Sequence, residues 1–142
     1  VSHVGPRGLA PYVREVRRRI KMGGRYLHHA LMRGYSPLPL DLAVGPSFNK
    51  RSVWPGFHWF TFGQHVRALE SNGFKILGAK NLSDHYAKTT MSWYERMMEN
   101  ADAMRRLLGD PTLRAWRIYL AGGTSGLQND GVQVHRLYCK AI

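Results

Sequence analysis

Phe62-Gly-Gln-His-Val-Arg-Ala-Leu-Glu-Ser-Asn-Gly-Phe-Lys-Ile-Leu-Gly-Ala79 changes its hydrophobic period midway, and that change decides the fold class. Phe62, Val66 and Leu69 recur at helical spacing as far as Asn72-Gly73, where a glycine ends the helix. Phe74 to Ala79 is then a short apolar run of strand character. A helix leading straight into a strand is the half-unit of an α/β fold. Towards the N-terminus the same unit precedes it. Leu9, Tyr12, Val13, Val16 and Ile20 form an apolar stripe with Arg14, Arg17, Arg18 and Arg19 mostly on the other face, which predicts a helix over 9–20. Lys21-Met22-Gly23-Gly24 stops it, and Arg25 to Leu31 reads as a buried strand.

Towards the C-terminus, Asp84 is a plausible N-cap for a long helix from His85 towards Leu108, and Asp110-Pro111 starts a second that reaches about Ala121 before Gly122-Gly123 closes it. Val132 to Tyr138 alternates as a strand does. The order helix, strand, helix, strand, helices, strand is that of the second half of an open α/β sheet with helices on its faces. In such sheets ligands bind beyond the carboxyl ends of the strands, here just after Leu31 and just after Leu82. Residues 34–61 carry Pro37, Pro39, Pro46 and Pro55 among Gly34, Gly45 and Gly56, too many breakers for a regular element, yet they are rich in Trp, Phe and His. Long loops of this kind are commonly lids or binding loops, so it is expected to cover a pocket.

The chain has 142 residues and 44% hydrophobic composition, enough for one domain with a real core. No window approaches twenty apolar residues and no basic-then-apolar leader is present, which favours a soluble, cytoplasmic chain. The opening Val1-Ser2-His3-Val4-Gly5, without an initiator Met, suggests a start inside a longer protein. Cys139 is the single cysteine, so an internal disulfide is excluded, and no zinc ribbon or other metal site is indicated. Lys and Arg total 21 against nine acids, a net charge of +12 that favours polyanionic partners such as nucleic acid or an anionic lipid surface.

His28-His29 closes the first strand. Alternation turns one imidazole to the site edge and the other to a packing helix, so only one is expected to act. Tyr86 follows the second strand and enters at the same sheet edge. A phenol and a neutral imidazole each donate one hydrogen bond, so together they can hold a small oxyanion or relay a proton.

His3-Val4-Gly5, Gly23-Gly24-Arg25-Tyr26-Leu27-His28-His29-Ala30-Leu31, His85-Tyr86-Ala87-Lys88-Thr89-Thr90-Met91-Ser92-Trp93 and Arg114-Ala115-Trp116-Arg117-Ile118-Tyr119-Leu120 together resemble the cyclopropane-fatty-acid synthases and their relatives, the mycolic acid methyltransferases. The third run is the most specific, and the resemblance extends from His3 to about Leu137. It implies the C-terminal half of a class I, Rossmann-like S-adenosylmethionine-dependent methyltransferase sheet with flanking helices, its cofactor-binding N-terminal half lying outside this chain. The activity implied is transfer of a one-carbon unit to the cis double bond of an unsaturated acyl chain, followed by proton loss. A bound bicarbonate ion serves as base in such enzymes. Its pocket carries over to His29, Leu31 and Tyr86, with His29 and Tyr86 as catalytic residues. Ser2 stands where the family has Glu, a departure that bears on how the anion is held.

The run Trp54-Pro55-Gly56-Phe57-His58-Trp59-Phe60 replaces a less bulky family loop, which suggests a different substrate choice. Trp54, Phe57, Trp59 and Phe60 are candidates for an acyl pocket, where aromatic faces also stabilise a passing cation; the plainer reading puts half of them in the core. The glycine-rich turn and acidic residue expected of an S-adenosylmethionine site are not in the sequence. Gly122-Gly123-Thr124-Ser125-Gly126 follows a helix instead of joining a strand to one, so it makes a poor phosphate cradle.

Arg14, Arg17, Arg18 and Arg19 are candidates for a basic face on phospholipid headgroups, each charge contributing about 1 kcal/mol near an anionic bilayer. A solvated helix face explains them equally well. The partners expected are therefore unsaturated phospholipid at an anionic membrane surface, the N-terminal half of the same enzyme and a second copy of the chain. Two further readings stand beside this one. In the first the chain is a basic nucleic-acid-binding module, which the scatter of arginines over helices disfavours. In the second it is a non-catalytic partner subunit that docks on a cofactor-binding half.

Overall fold

The computed structural model describes residues 1–36 and 47–142, so the part of the aromatic loop from 37 to 46 lies outside the described residues. Contacts divide the chain into two compact units, the first Val1–Gly34, Gly56–Leu82 and Gln133–Ile142, the second Tyr35–Pro55 and Ser83–Val132.

The first unit is a three-stranded sheet with two helices. Helix α1 spans Leu9–Arg18, strand β1 Arg25–Arg33, helix α3 Phe62–Glu70, strand β2 Phe74–Asn81 and strand β3 Val132–Ala141. The spatial order is β1-β3-β2. β2 pairs antiparallel with β3, from Phe74 opposite Ala141 to Asn81 opposite His135, with an irregularity between Ile76 and Gly78. The start of β1 meets the end of β3, where Gly23 N–H donates to Ala141 O at 2.9 Å and Ala141 N–H to Gly24 O at 2.8 Å. Both outer strands therefore run opposite to β3, and their carboxyl ends share one sheet edge.

The α1 stripe read from the sequence is the stripe that packs. Leu9 and Val13 are buried in one cluster with Ala30, Met32, Phe60, Leu69, Phe74, Leu137 and Cys139, and Tyr12, Val16 and Ile20 pack against it. Helix α3 starts on a capping box: Thr61 accepts from Gln64 N–H while the Gln64 side chain accepts from Thr61 N–H at 2.8 Å. Cys139 is buried in this core, its thiol pushed up to about 11 by burial, so it is a small apolar residue here.

The second unit is helical. It holds helices α2 (Ser47–Ser52), α4 (Ser83–Glu99), α5 (Ala101–Leu108) and α6 (Asp110–Gln128). Three expectations are corrected here. The 34–61 segment does contain a regular element, since α2 occupies six of its residues. The long helix expected over 85–108 is two, parted at Asn100. Gly122-Gly123 does not end α6, which runs through the glycine-rich stretch to Gln128. Leu120, Thr124 and Leu127 form a buried stripe across that stretch, and their burial outweighs a helix-interior glycine cost of about 1 kcal/mol per residue. Thr124 Oγ1 also lies 2.7 Å from Thr90 Oγ1 of α4 and donates to Leu120 O at 2.9 Å. The stretch is thus helix packing surface.

Candidate functional site

Strand alternation separates the two histidines of β1 as expected. His28 points to the helices and is fully buried, whereas His29 lies on the opposite, exposed face. His28 Nε2 is 2.9 Å from His65 Nδ1 of α3, and Tyr26 Oη is 3.1 Å from His28 Nδ1. Tyr12 Oη of α1 continues the line at 3.5 Å from Tyr26 Oη. The result is a polar chain running from the half-buried Tyr12 and Tyr26 to the buried His28 and His65, against an otherwise apolar core. Burial, above all, pushes His28 down to about 4 and His65 to about 3, and raises Tyr26 far above its ordinary range. These groups stay neutral across the physiological range, as a core requires. His65 Nε2 is buried with no hydrogen-bond partner. Sequence reasoning missed His65 because its helical phase beside Val66 and Leu69 does not reveal which strand faces it.

His29 has a different environment. Arg136 Nε donates to His29 Nδ1 at 3.3 Å, and burial followed by the Arg136 charge lowers the imidazole's pKa. A guanidinium has no acceptor, so Nδ1 is the lone-pair nitrogen and the ring hydrogen sits on Nε2. In this arrangement the ring donates through Nε2–H, which suits a small anion. Leu31 is half-buried two residues further along β1. Tyr86 belongs to the second unit, half-buried in the first turn of α4, and its carbonyl accepts from Thr90 Oγ1 at 3.0 Å.

The aromatic loop residues are divided. Phe60 is part of the core cluster of the first unit, and Phe57 is buried with its ring edge-on to His3 at 5.7 Å and to Trp59 at 4.7 Å. Phe57 and Phe60 are thus buried packing residues of the first unit. Trp54 lies in the second unit, T-shaped against Trp116 at 5.6 Å and Tyr119 at 6.2 Å. Among the described residues, the second unit holds an open apolar cavity of about 770 Å³ bordered by Trp93, Met97, Met104, Trp116, Leu120 and the cationic Arg96. None of the four expected acyl residues lines it.

The basic face is also redistributed. Arg17 is taken up structurally: Nε donates to Gly73 O at 3.0 Å, Nη1 to Ile20 O at 2.9 Å and Nη2 to Ile142 O at 2.9 Å. Arg17 thus has a structural role in the first unit. Arg18 and Arg19 both reach Glu15, Arg19 at 2.7 Å, in exposed pairs of small energetic weight. Arg14 is exposed. Among the described residues no helix is long and apolar enough to cross a membrane, and no cluster of His, Cys, Asp and Glu could hold a metal.

The mixed α/β chain, with β3 antiparallel between two strands whose carboxyl ends share an edge, is the C-terminal part of a class I S-adenosylmethionine-dependent methyltransferase fold. The cyclopropane synthase MmaA2 of Mycobacterium tuberculosis superposes with a TM-score of 0.90 at 20% identity, covering 98% of this chain and 52% of that one. The mycolic acid cyclopropane synthase CmaA1, solved with SAH and CTAB, gives 0.89 at 20% identity over 98% of this chain and 52% of its own. The family model for mycolic acid cyclopropane synthetase matches residues 1–137, and the chain belongs to that family. Among curated relatives, a "Probable fatty acid methyltransferase" of Pseudomonas putida is 26% identical over 96% of this chain and 34% of its own length. The sphingolipid C9-methyltransferase of Candida albicans is 26% identical over 98% of this chain and 27% of its own. The chain thus spans about a third of the curated relatives it matches and about half of the solved structures.

Proposed function

We propose that this chain is the C-terminal part of an enzyme that transfers a one-carbon unit from S-adenosylmethionine to the cis double bond of an unsaturated fatty-acyl chain of phospholipid, leaving a cyclopropane or a methyl or methylene branch. The family match over residues 1–137 carries the reading. S-adenosylmethionine supplies an electrophilic methyl carbon when bound, and this chain lacks the glycine-rich turn that would hold it, so that site is assigned to the portion outside these residues. Bicarbonate, when bound, supplies a base for the proton lost from the alkylated chain. His29 suits that anion because the Arg136 contact at Nδ1 leaves its ring hydrogen on Nε2. Leu31 is the candidate for a backbone donor, and Tyr86, with its phenol O–H, is the family-pattern candidate in the second unit.

The acyl chain is assigned to the apolar cavity of the second unit. Tyr86 and Trp93 are seven residues apart on α4, hence on one helix face about 10 Å apart along the axis, a spacing that supports Tyr86 as the residue next to the acyl chain. Arg96 at the rim suits an anionic headgroup, and Arg14, Arg18 and Arg19 remain as candidates for peripheral contact with an anionic membrane from the cytoplasmic side.

The test uses the longer protein that contains this segment, methyl-labelled S-adenosylmethionine and vesicles of unsaturated phosphatidylglycerol. Label in the acyl chains supports the reading, and the proton NMR of the isolated acyl chains separates the upfield ring methylene of a cyclopropane from the methyl or exomethylene signals of a branch. His29→Ala and Tyr86→Phe should each slow turnover while S-adenosylmethionine binding is kept. Transfer confined to water-soluble acceptors would sink the lipid assignment, and full activity in both variants would sink the site assignment.

A further inference from the structure

We propose that Arg136 is a positioning residue that holds His29 in the tautomer with its hydrogen on Nε2. The inference rests on the reading of His29 as the anion-site imidazole and adds a residue to it.

Sheet register places the pair. His29 stands at the middle of β1, which runs on to Arg33 instead of closing at the histidine pair; β3 lies beside β1, and Arg136 on β3 brings its Nε to 3.3 Å from His29 Nδ1. Arg136 is exposed on the same face as His29, so the side chain is not needed to fill the core. On the other side of β3, Lys80 of β2 is directly opposite Arg136. The row across the sheet is therefore His29, Arg136, Lys80, two fixed cations beside one titratable ring.

An arginine at this position acts in two ways. Its Nε–H has no lone pair, so it fixes Nδ1 as acceptor and leaves only Nε2 to carry the hydrogen. Its charge, with that of Lys80 beyond it, opposes formation of the imidazolium. Protonating His29 at Nδ1 would also set N–H against N–H and break the contact. Arg136 thereby favours the neutral ring with its hydrogen on Nε2, the form in which it can donate to an anion without neutralising that anion's basicity.

The test is a long-range ¹H–¹⁵N spectrum of the uniformly ¹⁵N-labelled chain, with His29 assigned by its loss in His29→Gln. At neutral pH, Nδ1 of His29 should resonate in the unprotonated range and Nε2 in the protonated range. Arg136→Gln keeps a donor but removes the charge, so the tautomer persists while the titration midpoint rises. Arg136→Leu removes both, so the two tautomers mix and the midpoint rises. A wild-type ring with its hydrogen on Nδ1, or an Arg136→Leu spectrum unchanged in tautomer and midpoint, overturns the proposal. Far-UV circular dichroism checks that the variants are folded, and the wild-type spectrum decides even where a variant is not. Titration with bicarbonate separates the two layers: a shift at the His29 Nε2–H supports the anion reading, whereas no shift with the tautomer intact overturns that reading and leaves the role of Arg136 standing.

Discussion

Replacing Arg17 by alanine should unfold the first unit at markedly lower denaturant, although composition would class it with the other exposed arginines of α1. Its guanidinium donates to three carbonyls, Gly73 O at 3.0 Å, Ile20 O at 2.9 Å and Ile142 O at 2.9 Å, which ties the C-terminal end of α1 to the turn before β2 and to the end of β3. Hydrogen bonds to charged groups contribute roughly 1.5–3 kcal/mol each where water is excluded. Two of the three are partly buried and the third is exposed, so the third is discounted. Gly73 O keeps its bond from Ile142 N–H at 3.0 Å, which softens the loss. About 3 kcal/mol is expected. At an m-value of roughly 2 kcal/mol/M the urea midpoint should fall by about 1.5 M, followed through amide signals of β1 and β3 so that only the first unit is read. Arg17→Lys should recover little, because an ammonium cannot reach three carbonyls in one plane. A loss below about 0.5 kcal/mol for Arg17→Ala, the size of an ordinary surface substitution, would refute the reasoning. Full recovery with lysine would show that charge acts instead of the fork.

Acid should destabilise the first unit through His28 and His65. Their pKa values in the fold, about 4 and about 3, lie below the ordinary 6.5, so the unfolded chain takes up protons first. The stability is fully present above pH 6.5 and is lost as pH falls towards 4, at about 1.4 kcal/mol per pH unit for each imidazole. Denaturation midpoints from pH 8 to pH 4.5 check this, and a flat profile would exclude buried neutral histidines. Gly73 has φ +84° and a Cβ there would meet Arg17 Nε at 3.2 Å, so Gly73→Ala should cost more than 1 kcal/mol. Gly123 sits inside α6 with open space around it, so Gly123→Ala should instead stabilise by up to about 1 kcal/mol, and the two midpoints should move in opposite directions. Thr124→Val removes the hydroxyl between Thr90 and Leu120 O and should cost about 1–2 kcal/mol, measured by hydrogen exchange in α6.

What the sequence by itself determined was local. Periodicity placed α1, β1, α3, β2 and β3 within a few residues of their observed bounds, because each has its own apolar pattern and the two helices are followed by Gly23-Gly24 and Asn72-Gly73, and those signals act over a turn or two. The same alternation showed that His28 and His29 face opposite ways. Where local rules and tertiary burial compete, the sequence misled: Gly122-Gly123 looks like a helix end until Leu120, Thr124 and Leu127 are seen packed across it, and Asn100 parts a helix that periodicity joins. Partner identity was beyond local reading altogether. Arg17 and Arg18 are adjacent and look alike, yet one fixes three carbonyls and the other reaches Glu15, since only the folded chain brings Gly73 and Ile142 to α1. Arg136 and His29 are 107 residues apart and meet because β3 inserts between β1 and β2, an order set by long-range strand pairing and not by the pattern of either strand.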